Sequence, residues 1–278
     1  MATPWDRASL SYVTEWVPRF IPYHLDAVHE LALHGGDRVL IPAAGAGAEV
    51  VAVARVTSTD RGIRATSEDR AMLSFCAERV EAAGLAERVV CETAKVEDVS
   101  GGPWDAIICA FAFDRVTDPT ALLQAWRGAI SPNGKICVVV WGPAEINDPF
   151  ARFRAAAGFE EPALRRDLTD RNQLADLFES VDLAMVRHTV VRHTLRFQSA
   201  EAFARSMLET STGHAVFERL GETRMRQVAA RFFETTGGPD APIVFQPAAT
   251  IAIAALPGAE IELAVRSSMR IPIVPKER

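Results

Sequence analysis

The chain has 278 residues, 49% of them hydrophobic and 24% charged, with a net charge of −6. That length and apolar content suit one large core, and charges interspersed with a slightly acidic sum exclude the basic footprint of a nucleic-acid binder. No apolar run reaches the about 18 residues that a membrane span needs, and the start, Met1-Ala-Thr-Pro-Trp-Asp-Arg7, lacks the basic-then-apolar order of a secretory signal, so a soluble cytoplasmic protein is expected.

In chain order, residues 5–33 are expected to be helical, with Trp5, Tyr12, Trp16, Phe20 and Tyr23 on a partly apolar pattern. A strand over 38–42 and a helix over 48–56 follow, then a strand over 63–66 and a helix over 69–83. Strands over 89–93, 105–111 and 136–141 come next, with a helix over 119–129 between the last two. Such alternation implies a parallel sheet covered by helices on both faces. Residues 144–180 read as a polar, helix-rich insertion in which 174–178 offers a short apolar face. The alternating Val, Thr, Leu, His and Arg of 186–197 suit a half-exposed strand, helices over 199–210 and 215–234 follow, and 243–256 supplies an antiparallel last strand.

One domain over 1–256 is therefore expected, with an extension over 257–278. The 199–240 segment must bury Phe203, Met207, Phe217, Leu220, Phe232 and Phe233, either as a lid over a pocket or on neighbouring helices alone. In the extension, 261–265 and 271–274 are apolar enough to dock on a second subunit, so a homodimer through the tail is one expectation.

The cysteines (Cys76, Cys91, Cys109 and Cys137) form no C-x-x-C pair, and three fall on expected strands, where cysteine acts as a small hydrophobe. The histidines lack the i, i+4 spacing of a helical metal site, and His188 and His193, five apart on an expected strand, point to opposite faces. No metal is expected.

Ligands of open parallel sheets sit beyond the carboxyl ends of the strands. The first such end is the most informative stretch: Asp37-Arg-Val-Leu-Ile-Pro-Ala-Ala-Gly-Ala-Gly-Ala-Glu49 runs from an apolar strand through Gly45 and Gly47 into a helix. Glycines there let backbone approach a ligand and aim helix N–H groups at it.

This stretch resembles the first motif of class I S-adenosylmethionine (SAM) methyltransferases, and the resemblance continues in register over roughly 10–255. Met72-Leu73 and Ala77 to Val89 are similar to that family's second helix and the lead into its third strand. Trp104-Asp105 to Phe113 is similar to the fourth strand. Asp118-Pro119 to Arg127, Ser131-Pro-Asn-Gly-Lys135 and 136–141 match the helix, turn and fifth strand, and Trp141-Gly-Pro143 with Asn147-Asp-Pro-Phe150 is typical of relatives of quinone-biosynthesis methyltransferases. The resemblance implies an α/β, Rossmann-like class I methyltransferase fold: a seven-stranded, mostly parallel sheet with an antiparallel last strand and helices on both faces.

It also implies a SAM site at Ala43, Gly45, Gly47, Ser67, Glu68, Lys95, Val96 and Ala110, held by three acids. Those acids fall on Ile41, Ser67 and Lys95, so all three carboxylates are missing, with Glu68 one residue past Ser67. Charge-assisted hydrogen bonds are about twice as strong as neutral ones, and an ammonium cannot accept one; SAM binding in the usual way is not expected. Where the family often has Leu-His-His, this chain has Phe113-Asp114-Arg115. Phe111 and Phe113, two apart on the expected fourth strand, should share a face, and with Arg115 and Trp141 they are the candidate substrate contacts. Tyr12 matches an aromatic that related enzymes present from their N-terminal helix. Asp114, Tyr12, Tyr23 and His24 are the candidate proton-transfer groups, Asp114 and Arg115 having a plain capping role as their alternative.

Three readings stay open. One is an enzyme of small-molecule, specialised-metabolite chemistry that no longer uses SAM conventionally and binds an apolar substrate for cyclisation, isomerisation or elimination. Another is a divergent SAM-dependent methyltransferase, and the third a non-catalytic partner subunit.

Overall fold

The computed structural model of the protein describes residues 4–58, 62–142, 148–158, 168–208 and 210–263, with backbone alone for 4–8 and 211–220. Helices α1 (Pro4–Glu15) and α2 (Val17–Leu31) lead into β1 (Val39–Ile41), α3 (Ala48–Val56), β2 (Ile63–Ser67), α4 (Arg70–Ala82) and β3 (Val89–Thr93). Then come β4 (Trp104–Ala110), a 3-10 turn (Phe113–Arg115), α5 (Pro119–Ala129), β5 (Ile130–Trp141), α6 (Pro149–Ala157) and α7 (Arg171–Glu179). The chain continues through β6 (Ala184–Arg192), β7 (Leu195–Phe197), α8 (Ala200–Leu208), α9 (Ser211–Thr236), β8 (Ile243–Phe245) and β9 (Ala248–Ala255).

Seven strands form one sheet in the order β3-β2-β1-β4-β5-β9-β6. Leu40 lies beside Arg64 on one side and Ile107 on the other, both in parallel ladders, while β9 runs antiparallel between β5 and β6. Alternate residues face opposite cores: Val39, Ile41, Ile108 and Val139 join one, Leu40, Ile107, Cys109 and Val138 the other. Strand order reverses between β1 and β4, so a crevice opens beyond their carboxyl ends.

The N-terminal helical stretch is two helices, because Pro18 lacks the N–H that would have bonded back to Thr14; the chain restarts at Trp16, whose carbonyl accepts from Arg19 N and Phe20 N. The stretches 186–197 and 243–256 each split in two, β7 and β8 leaving the main sheet as a separate ribbon. Pro247, which cannot donate to a ladder, marks one break. At the other, His193 turns away to pair its Nε2 with Asp26 at 2.7 Å. The cysteines are less scattered than their spacing suggests, since α4 brings Cys76 Sγ to 3.7 Å from Cys91 Sγ as free thiols.

Helix α2 is held at three heights. Tyr23 Oη donates to Pro247 O at 2.7 Å and accepts from His193 N at 3.1 Å. Arg187 Nη1 donates to Glu30 at 2.8 Å, with Thr189 Oγ1 at 3.4 Å. At the helix end, Lys135 Nζ donates to the carbonyls of Leu31 and Ala32, and burial pushes that lysine below its ordinary range. Arg187→Met would leave Glu30 buried without its cation and is expected to remove about 3 kcal/mol of stability, measured by urea unfolding. A loss under about 0.5 kcal/mol would mean that the pair behaves like an exposed one.

No helix among the described residues is long and apolar enough to cross a membrane, and no group of three His, Cys, Asp or Glu among them could hold a metal ion.

Candidate functional site

A cavity of about 170 Å³ opens beyond the carboxyl ends of β1, β2 and β4. Its floor is the turn between β1 and α3. There Ala43, Gly45 and Gly47 all adopt positive φ, at 56°, 52° and 74°. The turn is pinned by Ala44 N donating to Thr66 O at 2.8 Å and Gly47 N to Ala44 O at 2.8 Å. Gly47 is the N-cap of α3, and a Cβ there would meet Cys76 Sγ at 2.5 Å. Only glycine fits both the backbone and the space.

The roof comes from the N-terminal helices: Tyr12 of α1 and Val17, Phe20 and His24 of α2. Burial pushes the Tyr12 phenol up to about 12, with Arg115 opposing and Glu49 adding, so it stays a protonated donor at neutral pH. No described side chain of the 199–240 segment lines the cavity. Its Phe203 and Phe232 stack at 5.4 Å within a cluster that includes Trp16, Phe150, Phe153 and Phe197. Trp16 in turn backs Phe20 at 5.6 Å, so Phe203 and Phe232 reach the cavity only at second hand. Met207 and Phe233 pack on the same core; the side chains of Phe217 and Leu220 lie outside the described residues.

One wall is Phe111, just past β4, with φ of 57°. A positive φ on a bulky residue is uncommon and strained. It carries Phe111 out of the pleat, so Phe111 and Phe113 do not share a face as alternation suggested. Phe111 stacks on Trp141 at 4.2 Å and meets His24 edge-on at 5.5 Å. Phe113 enters the opposite core beside Trp126 at 6.0 Å, away from the cavity.

Of the proton-transfer candidates, Tyr12 and His24 line the cavity and two do not. Tyr23 stands behind Phe111 and is taken up by its bonds to Pro247 and His193, with burial raising its phenol. Asp114 lies on the 3-10 turn, which has no side-chain cap, with its Oδ1 buried and without a hydrogen-bond partner among the described residues; burial raises its carboxyl while Arg115 opposes. Arg115 sits exposed at the cavity mouth, its guanidinium without a hydrogen-bond or ion-pair partner among the described residues.

The positions matched to the SAM acids are scattered. Ile41 is fully buried in the core. Ser67 lines the cavity and its Oγ accepts from Asp69 N at 3.1 Å. Lys95 is exposed and away from the cavity, as is Glu68, while the carbonyl of Val96 accepts from Trp126 Nε1 at 3.2 Å. Asp98 faces away to pair with Arg64 at 3.1 Å, and with the Ser100 N–H it is held down to about 2.

Two acids do line the cavity, and neither was singled out from the sequence. Asp69 is the N-cap of α4, its Oδ1 accepting from Met72 N at 2.9 Å. Glu49 lies in the first turn of α3, and its buried Oε2 is 3.1 Å from Nδ1 of buried His24. Both are acids at helix starts, a place where a carboxylate has an ordinary stabilising role. That ordinary reading concealed them.

Neither a scan of protein-family models nor a search of curated proteins finds a match to this chain. Solved structures do match. The chain is similar to YcgJ of Bacillus subtilis, at 15% identity and TM-score 0.56 over 84% of this chain and 98% of that one. It is similar to the [4+2]-cyclase SpnF, at 16% identity and TM-score 0.56 over 87% and 84%. A SAM-dependent methyltransferase of Aquifex aeolicus matches at 16% identity and TM-score 0.51 over 66% and 91%. At these identities the likeness is one of fold: the chain has the Rossmann-like class I methyltransferase fold.

Proposed function

We propose that the protein is an enzyme of small-molecule biosynthesis that does not hold SAM in the usual way. In this reading the site binds an apolar substrate for cyclisation, isomerisation or elimination. The observation that carries this is the cavity itself. At about 170 Å³ it is well below the roughly 300 Å³ at which cofactor and ligand pockets begin, and near the roughly 150 Å³ that holds a single benzene ring.

The lining agrees with its size. The N-terminus of α3, which would receive an anionic group of a cofactor, already carries the buried carboxylate of Glu49. Ile41 and Lys95 supply nothing to a ribose or an adenine, and Ser67 supplies only a hydroxyl. These positions speak against SAM held in the usual way. What they can do is enclose an apolar group between Phe20, Met72 and Phe111, exclude water from it and donate a hydrogen bond from Tyr12. Orientation and water exclusion are the gains that rearrangements of one substrate need. The same fold carries a [4+2]-cyclase in one structural neighbour, an analogy and no more.

A divergent SAM-dependent methyltransferase is the rival, favoured by Asp69 beside Ser67 at the end of β2. Calorimetric titration with SAM and S-adenosylhomocysteine separates the two. No heat up to millimolar ligand is expected, whereas low-micromolar binding would establish the rival. Ser67→Asp is the informative gain-of-binding variant. Ile41→Asp would bury a carboxylate in the core and unfold more than it restores, and Lys95 lies outside the cavity.

A further inference from the structure

We infer that His24 and Glu49 form a proton-transfer pair, in which Glu49 holds the Nδ1 proton of His24 and leaves Nε2 as the base that faces the cavity. The pair would serve a substrate whose ring-sized apolar part bears an acidic O–H, or a C–H next to a carbonyl. This substrate class rests on the function proposed above, while the pair itself does not.

The argument starts from burial. His24 is 9% exposed and Glu49 1%. His24 Nδ1 and Glu49 Oε2 are 3.1 Å apart, within ion-pair reach but not aligned as a hydrogen bond, and neither atom has a hydrogen-bond partner among the described residues, so each is the only polar group offered to the other. A carboxylate taken from water into an apolar surround costs several kcal/mol, and replacing a buried polar pair by well-packed hydrophobic residues is often neutral or stabilising. Helix α3 gains from an acid in its first turn, yet an exposed acid would serve that purpose without the desolvation. The fold thus carries an expensive pair at a place where it lines a cavity.

Chemistry then assigns the roles. An imidazole whose Nδ1–H is held by a carboxylate has its other nitrogen fixed as an acceptor. His24 Nε2 makes no hydrogen bond to a described residue, and the ring is braced edge-on against Phe111 at 5.5 Å. The same cavity presents the protonated Tyr12 phenol as a donor and Arg115 at its mouth as an unpaired cation. Nε2 would take the substrate proton, and the electron pair of the broken O–H or C–H bond would stay on the substrate, stabilised by Tyr12 and Arg115. Return of that proton from Nε2 to a different substrate atom completes an isomerisation with no oxidant or reductant. Glu49 acts through His24 and is a positioning residue.

Histidine labelled with ¹⁵N tests this in the full-length protein, with His24→Gln used to assign the signal. At pH 8 the wild-type His24 should show a protonated Nδ1 and a bare Nε2. Added phenol, a ring-sized probe that keeps its O–H at this pH, should move the Nε2 signal toward the hydrogen-bonded position. Glu49→Gln should lose the single tautomer and the response to the probe, and Glu49→Asp should keep the tautomer at least in part. If Glu49→Gln does not fold, the wild-type spectrum with and without the probe still decides. A protonated Nε2, an unchanged tautomer in a folded Glu49→Gln, or no response to millimolar probe would each overturn the proposal. Heat on SAM addition with these signals intact would instead remove the proposed function and leave the pair standing.

Discussion

Gly47→Ala is expected to lower folding stability by about 2–4 kcal/mol, as two separate penalties fall on one methyl group. The first is conformational: φ at this position is 74°, where an L-residue other than glycine loses on the order of 1 kcal/mol. The second is steric, because the new Cβ would lie 2.5 Å from Cys76 Sγ and 3.2 Å from Cys76 Cα. The Cα belongs to α4 and cannot swing aside as a side-chain tip can. Denaturant midpoints for Gly47→Ala, Cys76→Ala and the double variant measure the split. Removing the sulfur should return about 1 kcal/mol or more of coupling energy, while the conformational part remains. A strictly additive result would mean that α4 does not press on the turn, and the floor of the cavity would need another explanation.

Trp16→Ala should cost about 3–5 kcal/mol, the range for a large aromatic removed from a packed core. Trp16 is 1% exposed and stands where α1 breaks into α2. Its ring touches Phe20, Phe150, Phe197 and Phe203, and its Nε1 donates to Ser206 O at 3.0 Å. Truncation removes the link between the N-terminal helices and α8 and takes away what backs Phe20. The expected consequence beyond stability is a larger, softer cavity, seen as binding of bulkier ring ligands by a variant that has lost its unfolding cooperativity in part. Trp16→Phe keeps a ring but not the hydrogen bond and should lose less than half as much. Equal losses for the two variants would assign the effect to the hydrogen bond and not to packing.

Much of the sheet was legible because burial imposes a period. Val39 and Ile41 face one core and Leu40 the other, and that alternation stands in the sequence as an unbroken apolar run, the mark of a strand covered on both sides. The glycine turn was legible for a similar reason, since Gly45 and Gly47 occupy backbone that side chains avoid. The break at Pro18 was not expected, although a residue that has no N–H to give stands there.

The site was harder to read. Glu49 and Asp69 stand where any helix welcomes an acid, so their type and spacing carry no sign that the cavity lies beside them. Phe111 takes a left-handed backbone that nothing in a phenylalanine announces, and the strand rule of alternate faces failed there. Cys76 and Cys91 are 15 residues apart in the chain and become neighbours only when α4 folds back on β3.

The sequence alone determined the architecture: alternating strands and helices, a glycine turn at the first crossover, and the class of fold that follows from hydrophobic periodicity and backbone sterics. It also determined that Ile41, Ser67 and Lys95 cannot act as carboxylates, because residue chemistry needs no coordinates. The tertiary structure alone decided what lines the cavity. Packing of α2 against α3 sets His24 over Glu49, with 24 residues between them in the chain, and the left-handed step at Phe111 places its ring among those that line the cavity. Those outcomes depend on distances between elements, and the spacing of residues within an element does not contain them.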